Sequence, residues 1–346
     1  MTAGYLVLED GTVFRGRSLA AGGVAFGEAV FTTGMTGYQE TVTDPSYAGQ
    51  LVCFTTAMVG NYGVADERSE SPAPHANAAL MRSLGGEDWA AYLSEHGLIG
   101  LDGIDTRSLV LRLRESGAMR AAAVADEREL AVDDALEQVR AQPPMEGQAL
   151  VEQVSTPERY VFAADGSPHV AVVDYGAKRS IMRRLARAGA AVTVVPHTTS
   201  SDELARFDGV VLSNGPGDPE PLEAEVEAVR GALGRVPVLG ICLGHQLLGL
   251  ATGHRTYKLP FGHRGSNHPV LERRTRRVLV TSQNHGFAVE ATEGAEATHV
   301  SLYDGTVEGF DFTELRARSV QFHPEAGPGP HDAWPILESF VQELRG

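Results

Sequence analysis

Val236-Pro-Val-Leu-Gly240-Ile-Cys-Leu-Gly244-His-Gln246 is the stretch on which the fold turns. An apolar run closes on Gly240, a cysteine stands between two glycines, and a helical pattern follows over 246–252. This is strand, tight turn, helix, with the G-x-C-x-G pattern of a nucleophile elbow that carries Cys in place of Ser. The glycines permit a strained turn and close packing of helix on strand. Such a turn exposes Sγ of Cys242 at the top of a sheet, where the positive end of the helix dipole favours the thiolate. The backbone N–H of Leu243 then points at the oxygen of a tetrahedral intermediate. On these residues alone, a buried and inert Cys beside a Gly-rich turn stays open.

Upstream, strands of the same buried type alternate with helices. His169-Val-Ala-Val-Val173, Ala191-Val-Thr-Val-Val195 and Gly209-Val-Val-Leu212 read as strands, with helices over 178–188, 202–207 and 221–232. That alternation predicts a parallel sheet covered on both faces, with ligands at the carboxyl ends of its strands. Short strands are expected over 278–322. The first part of the chain differs. Residues 5–8 and 12–14 alternate around Glu9-Asp10-Gly11, which predicts a hairpin, and Ala29–Thr33 and Leu51–Thr56 are further β-like runs. Helices are expected over 76–83, 88–96, 105–115 and 133–141, the last ended by Pro143-Pro144. The expected class is α/β. An amino-terminal α+β, β-rich domain (1–150) precedes a polar connector (151–168) and a mostly parallel-sheet domain (169–346).

Composition narrows the function. The 346 residues carry a net charge of −16, which opposes a phosphate backbone and argues against nucleic-acid binding. The first 150 residues hold 10 Arg, no Lys and 21 acids, a net of −11; this suits either a basic partner or a solvated surface. No apolar run approaches the ~18 residues of a membrane helix. The start lacks a basic region followed by an apolar one, so no membrane association and a cytoplasmic location are expected. Two cysteines without a C-x-x-C exclude a disulfide framework and a thiolate zinc site. Cys53, inside Leu51-Val-Cys-Phe54, reads as core. His254, His263 and His268 fit no zinc spacing and read as solvated or structural, so no metal is expected. Neither lysine, Lys178 nor Lys258, follows a Gly, so the chain has no G-x-x-x-x-G-K-[ST] phosphate loop.

A nucleophilic thiol needs a base, and the base needs an orienting group. Ser319-Val-Gln-Phe-His323-Pro-Glu325 offers both, because residues two apart on an extended strand face one side. Alone, H-P-E is a common loop string.

Together with Ser213-Asn-Gly-Pro-Gly-Asp-Pro219, these strings resemble the signatures of the triad-type (class I) glutamine amidotransferases, in that family's order. The first domain carries Thr36-Gly-Tyr-Gln-Glu40, Thr43-Asp-Pro-Ser-Tyr47, Gly60-Asn-Tyr-Gly63 and Gly103-Ile-Asp-Thr-Arg107. These look like the amino-terminal domain of the small subunits of glutamine-dependent carbamoyl phosphate synthetases. Phe261-Gly-His-Arg-Gly-Ser-Asn-His-Pro269 and Ser282-Gln-Asn-His-Gly-Phe287 look like that family too. The resemblance spans essentially the whole chain and is weakest around 118–150.

The resemblance implies that Cys242 attacks the side-chain amide of glutamine and forms a thioester, with His323 as acid/base and Glu325 orienting it. It implies backbone amides of Gly217 and Leu243 as oxyanion donors. It also implies that Ser46, Gly215, Gln246, Asn284, Gly286 and Phe287 hold the glutamine. Read without it, Gly215 and Gly217 shape a turn, Ser46 follows Pro45 in a turn, and Asn284 stabilises a loop. It assigns no cofactor to this chain; ATP and Mg are expected on a large subunit, the partner in a heterodimer or higher oligomer. Ammonia is mostly protonated in neutral water and must reach its acceptor by a sheltered path, so a stable heteromeric interface is expected. Two other readings stay open. One is a stand-alone Cys-His-Glu hydrolase of γ-glutamyl amides. The other is a catalytically silent scaffold subunit, which the presence of all three triad residues disfavours.

Overall fold

The computed structural model describes residues 2–19, 22–292 and 296–346. The chain divides into two compact units, one of residues 1–148 with 260–264, the other of 149–259 with 265–346.

The first unit is a closed seven-stranded barrel. Its strands are β1 (Thr2–Leu8), β2 (Val13–Ser18), β3 (Val24–Thr32), β4 (Gln50–Phe54), β5 (Ala78–Leu80), β6 (Ile99–Asp102) and β7 (Met119–Val124), in spatial order β1-β2-β6-β5-β4-β3-β7. The expected Asp-Gly hairpin joins β1 to β2, with Gly11 at φ +90° closing the turn. Leu6, Leu8, Phe31, Leu51, Cys53, Leu80 and Leu101 share one core cluster with Leu109 and Leu113 of the helix Thr106–Ser116. Asp105 caps that helix by accepting from the Ser108 N–H. Helices Glu87–Glu95 and Val132–Ala141 contribute Trp89 and Leu93, and Ala135 and Val139, to two further clusters. The helix expected over 76–83 is absent: Ala78–Leu80 form β5, hydrogen-bonded between β4 and β6 in parallel. Alanine favours helix in isolation. Here the small side chains are fully buried in the wall of the barrel, and tertiary packing overrides that preference.

Residues 260–264 complete this unit. Ala118 N–H donates to Pro260 O at 2.7 Å, Phe261 stacks on Phe31, and Arg264 lies 4.0 Å from Glu28 with both side chains buried.

The second unit is a ten-stranded sheet. Its strands are β8 (Tyr160–Ala163), β9 (His169–Asp174), β10 (Ala191–Pro196), β11 (Gly209–Leu212), β12 (Val238–Ile241), β13 (Arg255–Glu272), β14 (Arg277–Glu290), β15 (Ala297–Ser301), β16 (Val307–Phe312) and β17 (Ala317–Val320). The spatial order is β14-β13-β15-β16-β17-β12-β11-β9-β10-β8. The five strands β10-β9-β11-β12-β17 are parallel, and antiparallel strands extend both edges. Helices Glu223–Ala232 and Leu243–Ala251 cover one face through Val226, Val229, Leu243, Leu247 and Leu248. Helices Arg179–Arg187 and Trp334–Glu343 cover the other through Ile181, Leu185, Leu337, Phe340 and Val341. Two features differ from expectation. Residues 151–168 contain a 3-10 turn and the edge strand β8, not only connecting chain. Residues 255–290 form two long strands of 18 and 14 residues in place of the short ones expected from residue 278 onward.

Among the described residues no helix is long and apolar enough to cross a membrane.

Gly240 and Gly244 set how closely helix Leu243–Ala251 approaches the sheet. A Cβ on Gly244 would meet Leu212 O at 2.2 Å, and one on Gly240 would meet Gly244 O at 2.6 Å. Both obstacles are backbone, so neither can swing aside. Gly244→Ala is therefore expected to destabilise the protein by about 1–3 kcal/mol, read as a lower thermal unfolding midpoint; an unchanged midpoint would contradict this packing.

Candidate active site

The parallel strands bring distant residues together at their carboxyl ends. β12 and β17 run side by side with Ile241 opposite Val320, and Cys242 N–H donates to Val320 O at 3.0 Å. The chain then continues from each strand to Cys242 and to His323. An isolated bridge ties His323 to Ser282, with His323 N–H donating to Ser282 O at 2.9 Å.

Cys242 is the last residue before helix Leu243–Ala251 and has φ 53°, ψ −104°. A non-glycine residue held there stores strain of about 1–3 kcal/mol, and the turn persists because the surrounding packing fixes it. Gly244 N–H donates to Ser213 O at 3.0 Å, locking the elbow to the 213–219 loop. The Leu243 N–H belongs to the first turn of the helix, where backbone donors have no intrahelical acceptor.

Cys242, His323 and Glu325 are each about 2% exposed. His323 Nδ1 lies 2.7 Å from Glu325 Oε1, so with Glu325 ionised the Nδ1–H donates to it. That leaves Nε2 as the nitrogen able to take the Cys242 thiol proton, and it has no hydrogen-bond partner among the described residues. The thiol lies 3.5 Å from Asn284 O. Burial by itself would lower the His323 pKa; the Glu325 charge overcomes it, and the net shift is upward. An imidazole that holds a proton this readily suits a group that takes one from a thiol and returns it to a leaving amine.

A residue that the motifs did not single out completes the array. Lys178 Nζ donates to Glu325 Oε1 at 2.9 Å and also to Ala326 O, with the lysine side chain 2% and the glutamate 0% exposed. A fully buried lysine is rare unless paired. Burial would raise the Glu325 carboxyl, but the Lys178 charge, then that of His323, holds it down at about 2. Lys178 N–H donates to Asn214 Oδ1 at 3.1 Å, so the same loop that braces the elbow also anchors the lysine. The one signal in the sequence was scarcity, two lysines in 346 residues.

Of the residues expected to hold substrate, Gln246, Asn284 and Phe287 gather with Cys242. Gln246 Nε2 donates to Phe287 O at 2.8 Å, and Asn284 O faces the thiol. Gly286 lies between Asn284 and Phe287 on β14. Gly215 packs against the elbow, since a Cβ there would meet Tyr175 O at 2.2 Å and the Leu243 side chain at 2.7 Å. Gly217, at φ +87°, turns the same loop. Ser46 belongs to the first unit, buried in the 3-10 turn Pro45–Tyr47, where its N–H donates to Asp44 Oδ1 at 2.9 Å. His254 packs edge-on against Phe310 and Phe312, and Cys53 is wholly buried, which pushes its thiol pKa up.

The model for class-I glutamine amidotransferases matches residues 171–343, and that for the carbamoyl-phosphate synthase small chain, CPSase domain, matches residues 6–123. A carbamoyl phosphate synthase small chain of Vibrio parahaemolyticus is 45% identical over 98% of this chain and 97% of its own length. That of Escherichia coli is 45% identical over 97% and 96%. The chain belongs to the carbamoyl phosphate synthase small-chain family. A small chain from Syntrophotalea carbinolica is 44% identical over 97% of this chain and 96% of its own. The family assignment therefore covers both units, including the region around 118–150 where sequence motifs were weakest.

Lys178→Met in this small chain should remove the cation that keeps Glu325 ionised. The carboxyl pKa then rises, and protonation of Glu325 cuts activity at a higher pH than in wild type. The expected result is a kcat/KM for glutamine hydrolysis reduced about tenfold or more, with the acid limb of the pH–rate profile displaced upward. A profile superimposable on wild type would remove Lys178 from the array.

Proposed function

We propose that this chain hydrolyses glutamine at Cys242 and passes the ammonia to a large ATP-using subunit that makes carbamoyl phosphate from bicarbonate. As a member of the small-chain family it is the glutaminase subunit of carbamoyl phosphate synthetase. The observation that carries the residue assignment is the buried run of hydrogen bonds from His323 through Glu325 to Lys178, with His323 Nε2 left unpartnered among the described residues and Cys242 buried at the carboxyl ends of the same strands.

Sγ of Cys242 attacks the side-chain carbonyl carbon of glutamine while His323 accepts the thiol proton. The carbonyl oxygen becomes an oxyanion, received by the N–H groups of Leu243 and Gly217. As the C–N bond breaks, His323 returns the proton to nitrogen and ammonia departs, leaving a glutamyl thioester. His323 then takes a proton from water, the hydroxide oxygen bonds to the thioester carbon, and the S–C bond breaks. Glutamate leaves and the thiol regains its proton. Glu325 holds the ring so that Nε2 faces sulfur throughout. Gln246, Asn284, Gly286, Phe287 and Gly215 complete the glutamine site in this reading.

The large subunit carries the ATP and Mg; no residue of this chain is assigned to them. A heterodimer or higher oligomer follows from the need to shelter ammonia from protonation. Two free cysteines, one of them the nucleophile, suit a reducing cytoplasm.

In the assembled synthetase, Cys242→Ser should abolish glutamine-dependent synthesis and leave synthesis from added ammonia intact. Loss of both activities together would contradict the division of labour. His323→Asn should slow thioester formation by about 10²–10⁴-fold, measured by single-turnover release of ammonia; unchanged release would exclude it as the base.

A further inference from the structure

Gln246 stands one helical turn after the nucleophile and is almost fully buried. Its Nε2 donates to Phe287 O at 2.8 Å and to Gln321 Oε1 at 3.2 Å. A backbone carbonyl can only accept, so Phe287 determines which end of the Gln246 amide is nitrogen. Gln321 must then present oxygen. Both amide hydrogens of Gln246 are used in this way. Its Oε1 accepts no hydrogen bond among the described residues.

Gln321 itself is fully buried, two residues before His323, with its backbone N–H donating to Glu308 O at 2.9 Å. Its side-chain Nε2 has no hydrogen-bond partner among the described residues. A buried donor left in that state is costly, and an apolar side chain would avoid the cost. What such a side chain could not supply is the acceptor that Gln246 uses.

The geometry is matched to an α-amino acid. Residues i and i+4 of a helix share one face, so Gln246 lies beside Cys242 along the helix. In glutamine, three carbons separate the reacting carbonyl carbon from the α-nitrogen, a comparable span. We propose that Gln321 is a positioning residue: it fixes the Gln246 carboxamide so that Oε1 receives the α-ammonium of glutamine. The pair thereby separates α-amino acid amides from simple γ-amides. This rests on the reading that glutamine reacts at Cys242. A site built to hydrogen-bond a substrate N–H discriminates strongly against an analogue that lacks it.

The test uses the assembled complex, with hydrolysis of L-glutamine compared with that of glutaramate, which lacks the α-amino group. Gln321→Met keeps the bulk and removes the acceptor. It should raise KM for glutamine about tenfold with kcat within about twofold, and shrink the preference over glutaramate by a similar factor. Adding Gln321→Met to Gln246→Met should change the preference no further, because both act through one contact. Gln321→Glu keeps an oxygen acceptor and should retain most of the preference; it carries the test if the Met variant fails to fold. Losses of equal size for both substrates, or a fall confined to kcat, would make Gln321 merely structural and overturn the proposal. Wild-type hydrolysis by Cys242→Ser would instead refute the underlying reading of the site.

Discussion

The approach of one helix backbone to one sheet governs the reactive half of this molecule. Gly240 and Gly244 allow helix Leu243–Ala251 to lie against β11 and β12 at a distance no side chain would tolerate. That closeness forces the left-handed backbone at Cys242 and aims the start of the helix at the ends of the parallel strands. Ser213 O holds Gly244, Gly215 abuts Leu243, and Asn214 reaches Lys178. The loop 213–219 is thus a brace that couples the nucleophile's turn to the far end of the charge array.

That array is an answer to burial. Glu325 has no solvent to stabilise its charge, and Lys178 Nζ and His323 Nδ1 both donate to its Oε1. Removing either partner would leave a charge in a low-dielectric setting, where breaking a buried pair costs about 3–5 kcal/mol. The arrangement therefore fixes the protonation of Glu325 and the orientation of His323 together. A carboxylate follows the histidine by two residues with proline between them: a turn closed by Ala326 N–H donating to His323 O at 3.2 Å, not an extended strand, carries both side chains, and Trp334 Nε1 donates to Glu325 O to hold that turn.

His323 and Glu325 meet across a turn, not by the alternation expected along a strand. The elbow and the parallel strands were legible because each depends on local grammar: glycine at tight turns and unbroken apolar runs. Lys178 was not, since its meaning comes from residues 147 positions away and no nearby pattern announces a buried ion pair. Gln321 was hidden for a related reason; it lay inside a quoted motif, but its task is set by Gln246 on another element. The misread stretch 76–83 shows the converse. Alanines that favour helix were recruited into a barrel wall by neighbouring strands. The long pair β13 and β14 escaped notice because glycines and charged residues interrupt its apolar alternation.

The barrel is not written in one continuous piece. Its last segment, 260–264, arrives more than a hundred residues after Gln148. A gene fragment ending at Gln148 would encode every barrel strand yet omit the carbonyl that takes the Ala118 amide, the ring that stacks on Phe31 and the guanidinium facing Glu28. A single cut therefore cannot turn this chain into two self-sufficient modules, and any recombination that separates them must carry that pentapeptide along.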